Sequence, residues 1–160
     1  MKRKKQHKVY GRNTKKRTIK KALKSYTNQE TGERKESSIE QKVRLFLESA
    51  NIPHQPEKFI EHAFYDFLVT DGLNYTFLIE CDGWWHGLDS NGEPLPSNKL
   101  LKIHKKNQRN DKRKDKIAQK LGIPLIRLKE SDIKNNFQDI KKTIQNEIER
   151  QIYFKQRGQD

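Results

Sequence analysis

A single cysteine stands in the 160 residues, which excludes an intramolecular disulfide framework and a cysteine-rich zinc site. The five histidines can still supply metal ligands, but not a zinc finger or ribbon. Hydrophobic residues make up only 31%, against 35% for Asp, Glu, Lys and Arg. That is too little apolar surface to bury the whole chain, so part of it is expected to stay solvated. No apolar run approaches the roughly 18 residues of a membrane span, and no secretory leader is visible. No membrane partner is therefore expected, and a reducing cytoplasmic setting is. The length suits one domain of ordinary size plus a tail.

What is present is positive charge, +14 in all. Its distribution says more than its sum. Residues 1–25 hold 12 Lys/Arg and no acid, and residues 26–35 add two of each sign. Residues 36–98 reverse the sign, with 3 basic and 11 acidic residues. Residues 99–129 return to 12 basic against 2 acidic, and residues 130–160 balance at 6 and 6. Two basic blocks point to a polyanion. A protein that only binds nucleic acid has no need of the acidic middle, whereas one that holds a cation next to a phosphate does.

Residues 1–35 read as a basic arm and linker, with too few apolar residues to pack, and residues 36–154 as the folded domain. Ser37 or Ser38 is a good N-cap for a first helix carrying Ile39, Val43, Leu45, Phe46 and Leu47, which ends near Asn51 before Pro53 and Pro56. Residues 59–69 read as two short strands or a hairpin, and Asp71-Gly72 as a turn. Residues 75–81 form an apolar run of strand length, as expected for a strand covered on both faces. A loop over 87–98 leads into a long basic helix over 99–121, with Gly122 as its C′ residue. A short strand over 124–128 precedes one last helix, capped by Ser131 or Asp132 and apolar along Ile133, Phe137, Ile140, Ile144, Ile148 and Ile152. The order αβββαβα is that of an α/β domain, a mixed central sheet flanked by helices.

The densest chemistry is Glu80-Cys81-Asp82-Gly83-Trp84-Trp85-His86. Glu80 and Asp82 lie two apart at a strand end and so point the same way. Asp66 has a matching place in the preceding strand, inside an apolar sequence. If the two strands pair, Asp66 and Glu80 come within reach of one ion, and carboxylates suit Mg²⁺ or Mn²⁺. The bland alternative is a set of surface acids at strand ends. His86 is a candidate general base, or else a turn residue that only hydrogen-bonds. Cys81 reads as a small buried residue. Trp84 and Trp85 read as core, with a nucleic-acid contact as the alternative.

Taken in order, these motifs resemble the PD-(D/E)xK nucleases of the very-short-patch-repair type and the related EDxHD homing endonucleases. The matching residues are Glu40 in the first helix, Asp66-Phe67, the run from Ile79 through Glu80, Asp82 and Gly83 to His86, Asp111 with Lys114, Gly122, and Arg127. The resemblance implies a restriction-endonuclease-like αβββαβ core and Mg²⁺-dependent cleavage of double-stranded DNA by a monomer or homodimer, in a bacterial or phage-infected cell. It implies that Asp66, Glu80 and the Cys81 carbonyl hold the metal, that Glu40 orients a water or second ion, and that no zinc is bound. Two departures stand out. Asp82 occupies the usual lysine position, which leaves the base role to His86 and the positive charge to Lys112, Lys114 or Lys116. The structural zinc cysteines of the repair enzymes are absent, which favours the broader group, including phage or mobile-element homing enzymes.

Three other readings stay open: an HNH-type nuclease using His86, His104 and Asn98 or Asn107; an RNA substrate; and a non-catalytic basic DNA-binding protein. For the nuclease reading, DNA phosphate contacts are expected from Lys4, Lys5, Lys15, Lys16 and Arg17 in the arm and from Lys112, Arg113, Lys114, Lys116 and Arg127 in the second basic block. A first prediction follows for the arm. Deleting residues 1–25 should weaken DNA binding and flatten the log–log salt dependence by about 0.9 for each phosphate no longer neutralised. Titrating both proteins against one duplex across a salt series checks it. An unchanged slope would take the arm off the DNA.

Overall fold

The computed structural model describes residues 36–83 and 96–158. By compactness the chain divides after Ser37, and the unit from Ser38 onward carries every element below. Lys4, Lys5, Lys15, Lys16 and Arg17, and likewise Trp84, Trp85 and His86, lie outside the described residues.

Helix α1 (Ser38–Ser49) buries Ile39, Val43, Phe46 and Leu47, the i, i+4, i+7, i+8 stripe of one helical face. Leu45, expected on that face, is exposed, because a 3.6-residue period turns it to the opposite side of the helix. Strand β1 (His54–Ile60) begins earlier than its composition suggests and runs through Pro56. It is an edge strand, where a missing N–H can face solvent. Glu61 and His62, at φ 45 and 72, close the tight turn into β2 (Ala63–Thr70). The expected turn follows β2. The Asp71 carboxylate accepts the amides of Leu73, Asn74 and Tyr75 at 2.9, 2.7 and 3.2 Å, and Gly72 takes φ 79.

Strand β3 (Thr76–Asp82) is covered on both faces as expected. Phe77 and Ile79 pack with α1, and Leu78 packs on the other side with Tyr65 and Ala118. Helix α2 (Ser97–Leu121) lies on that second side and stops at Gly122, whose φ of 65 turns the chain out of the helix. Strand β4 (Leu125–Lys129) then pairs parallel to β3, giving a mixed four-stranded sheet in the order β1-β2-β3-β4.

The single last helix expected after β4 is two. Helix α3 (Glu130–Asn135) buries Ile133, and α4 (Phe137–Arg157) buries Ile140 and Ile144. Asn136, at φ −128 and ψ 44, separates them. Its amide still bonds to Asp132 O and its own carbonyl starts the next helix, a double duty that suits a residue able to leave helical geometry. Helix α4 also runs three residues past the expected end of the domain at 154.

One irregularity positions the site. Ala63, Tyr65 and Leu68 belong to the α2 side of the sheet, whereas Phe67 and Val69 face α1. Strict alternation cannot place both Tyr65 and Leu68 on one face. The alternation of side chains therefore breaks at Asp66, while the pairing register with β1 is the same on both sides of it. In β1, Glu57 between the Pro56↔Phe67 and Lys58↔Tyr65 pairs answers with a φ of 50.

The end of α2 yields the second prediction. Nothing lies within 4 Å of a Cβ built on Gly122, so Gly122→Ala costs backbone strain alone, about 1 kcal/mol. Gly158→Ala, at φ −85, should change little. Urea unfolding of the two variants beside the parent checks the contrast.

Candidate active site

At the break in β2 the Asp66 carboxylate reaches along the sheet to the neighbouring strand. Its Oδ2 accepts the Cys81 amide at 2.7 Å. The β2–β3 ladder ends one step earlier, at Phe67↔Ile79, so this side chain supplies the partner that the next rung would have given. An extended residue carries its N–H and C=O on the same strand edge, so the Cys81 carbonyl also lies on the Asp66 side.

Glu80 projects from β3 toward α2 and is only 5% exposed, the one charged residue buried among the described residues. Lys114 Nζ reaches down from α2 and donates to Glu80 Oε2 at 2.5 Å. The lysine is held from behind, because the Tyr65 hydroxyl donates to the Lys114 carbonyl at 2.8 Å. Lys114 Nζ lies 5.7 Å from the centre of the Tyr65 ring. Glu80 Oε1 is buried and has no hydrogen-bond partner among the described residues.

Burial pushes the Glu80 carboxyl up, and the Asp66 charge adds to it. Lys114 and Arg127 offset part of that, and the result is about 7. The ion pair does not return the group to the ordinary carboxylate range, because desolvation outweighs one ammonium contact. The Cys81 thiol is also pushed up, by burial and then by Asp66, Glu40, Glu80 and Asp82. Its sulfur stays protonated at neutral pH, so the carbonyl is its usable ligand atom. Glu40, half-buried on α1, is therefore within electrostatic reach of Cys81.

Asp82, next on the Glu80 face, is taken up by Arg127 of β4. Arg127 Nη1 donates to Asp82 Oδ1 at 2.8 Å, while Nε and Nη2 donate to Asp115 Oδ1 at 3.1 and 2.9 Å. Asp111 Oδ1 stands 3.7 Å from Nη1. Burial works against the Arg127 charge, but Asp115, Asp82 and Asp111 more than offset it. Burial raises the Asp82 carboxyl as well, with Arg127 pulling the other way.

Asp66, Glu80, Cys81 and Asp82 thus lie where the β2–β3 ladder ends, with Glu40 within electrostatic reach of Cys81 from the other face. Of the lysines named for the missing charge, Lys114 alone turns inward, while Lys112 and Lys116 are exposed, as is Arg113. Arg127 and Lys114 spend their charge on carboxylates of this chain. Asp115 escaped sequence reasoning. Its signal was there, since Asp111 and Asp115 are the only acids among residues 99–129 and stand four apart on one helical face.

No group of three or more His, Cys, Asp or Glu among the described residues is gathered to hold a metal. The oxygen donors nonetheless suit a hard divalent ion: Asp66, the Cys81 carbonyl, and a buried Glu80 oxygen with no other partner. No helix among the described residues is long and apolar enough to cross a membrane. No protein-family profile, curated protein or solved structure matches the chain.

The third prediction concerns pH. Unfolded Glu ionises near 4.3, whereas folded Glu80 holds its proton to about 7. Between those values the folded state binds more protons, so Glu80 makes stability fall as pH rises through the window. Above it the cost is on the order of 3 kcal/mol. Glu80→Gln keeps an acceptor for Lys114 and removes the titration. In a metal chelator the variant should be more stable than the parent at pH 8, with the gap closing toward pH 5. Parallel urea-unfolding profiles for the two would assign the cost elsewhere.

Proposed function

We propose that this chain is a metal-dependent endonuclease that hydrolyses DNA phosphodiester bonds, built on a restriction-endonuclease-like core. The observation that carries the reading is Glu80, a buried carboxylate beside Asp66 with one oxygen on Lys114 and the other without a partner among the described residues. The α/β architecture with a four-stranded mixed sheet is compatible with that core. The two basic blocks supply the affinity for a polyanion.

In this reading Asp66, Glu80 and the Cys81 carbonyl hold Mg²⁺, with Mn²⁺ able to substitute. The ion supplies Lewis-acid charge at the scissile phosphate and lowers the pKa of a water. Lys114 fixes the Glu80 carboxylate and would supply the positive charge that the missing motif lysine leaves out. Asp82, which holds that motif position, is neutralised by Arg127. Glu40 orients a water or a second ion from α1, and His86 is the assigned base. One site per chain makes a nick per monomer, so a double-strand break needs a dimer or two events.

A fourth prediction follows. Glu80→Gln and Asp66→Asn should abolish Mg²⁺-dependent nicking of supercoiled plasmid while DNA affinity and the circular dichroism spectrum persist. Lys114→Met should slow nicking by roughly 10²-fold, as loss of one stabilising donor does. Wild-type rates in purified Glu80→Gln protein would sink the assignment.

One observation favours a second reading, a non-catalytic basic DNA-binding protein. The charges of Glu80 and Asp82 are already matched by Lys114 and Arg127, as in a purely structural network. Retarded duplex with no nicking in either metal would establish it, and a parallel RNA incubation tests the sugar.

A further inference from the structure

Helix α2 sorts its cations by direction. Lys114 turns to the sheet together with Ala118, its neighbour one turn on. Asp111 and Asp115 flank that line on the Arg127 side. Lys102, Lys106, Arg109, Arg113, Lys116 and Lys120 follow one another at steps of 4, 3, 4, 3 and 4, which keeps all six on one stripe of a 3.6-residue helix. All six are exposed, and none is in an ion pair with a described residue. The stripe holds no acid. From Lys102 to Lys120 it rises about 27 Å at 1.5 Å per residue. The whole helix, residues 97–121, has no Phe, Trp or Tyr.

We infer that this flank of α2 is a track for the sugar–phosphate backbone of a nucleic-acid duplex, separate in direction and role from Lys114. The length matches roughly eight base pairs at 3.4 Å each. A rigid row of point charges fits a rigid, regularly spaced polyanion. Single strands are held differently, by cationic grooves interleaved with aromatic side chains on which bases stack, and this helix offers none. Lysine and arginine aimed at phosphates carry affinity without sequence information, so base choice belongs to other elements. On this assignment Lys102, Lys106, Arg109 and Lys120 belong to the basic surface with Arg113 and Lys116, while Lys114 and Arg127 are engaged by carboxylates of this chain.

The inference rests on nucleic acid being the polyanion, as under the proposed function. It is tested by binding in the absence of divalent metal, so loss of the nuclease reading leaves it standing or falling by itself. The test variant is Lys106→Gln, Arg113→Gln and Lys120→Gln in the full chain. The control removes three exposed cations from α4 instead, as Lys142→Gln, Lys155→Gln and Arg157→Gln. Affinity for a 20-base-pair duplex and for one of its strands is measured across a salt series. The α2 variant should lose about 2 to 3 units of log–log slope on the duplex, at about 0.9 per phosphate, and at least tenfold in affinity. The control should lose less than one unit. An unchanged slope overturns the inference, as does an equal loss in the control, which would make net charge the whole cause. An equal loss on the single strand overturns the duplex assignment. Should the triple variant lose its helical dichroism, Lys102→Gln, Arg109→Gln and Lys116→Gln test the same stripe.

Discussion

Placing the Glu80 carboxylate between sheet and helix strips it of water, and much of the surrounding structure offsets that loss. Lys114 brings an ammonium to one oxygen, and Tyr65 holds the backbone of that lysine. Arg127 adds a second positive charge nearby while being held by three aspartates. The compensation is incomplete, since the carboxyl is still pushed up to about 7 and one oxygen has no partner among the described residues. Buried polar groups are normally satisfied. An exception at the mouth of a strand pair, beside a second carboxylate, is the arrangement a hard cation would complete.

That geometry depends on a local break in strand regularity. Had β2 kept strict alternation, Asp66 would stand on the Leu68 face of the sheet, and the Cys81 amide would need another acceptor. The break in alternation at Asp66, opposite the left-handed Glu57 across the hairpin, lets a side chain finish the ladder. Irregular strand geometry next to chemistry is a recurring way of re-aiming a side chain.

Much of this was legible in order and period. The stripe of Ile39, Val43, Phe46 and Leu47 marked α1, the Asp71-Gly72 turn marked the β2–β3 hairpin, and Gly122 marked the end of α2. Asp66 and Glu80 stood out because each is an acid inside an apolar run. The first strand was misjudged because Pro56 reads as a breaker until its edge position is known. The break at Asn136 was hidden because the apolar spacing of Ile133, Phe137, Ile140 and Ile144 continues across it.

The sequence by itself determined the element types, the face shared by Glu80 and Asp82, and the separation of charge into blocks, because each follows from spacing along one strand or helix. The choice of partners was a matter for tertiary structure. Lys112, Lys114 and Lys116 are equivalent as letters. Only the packing of α2 on Tyr65 and Leu78 turns Lys114 to Glu80 and leaves the other two in water. Likewise Arg127 meets Asp82 because β4 lies parallel beside β3, and meets Asp115 because α2 crosses that face. Pairings between residues 12 to 45 positions apart are set by how elements dock, and no local period encodes them.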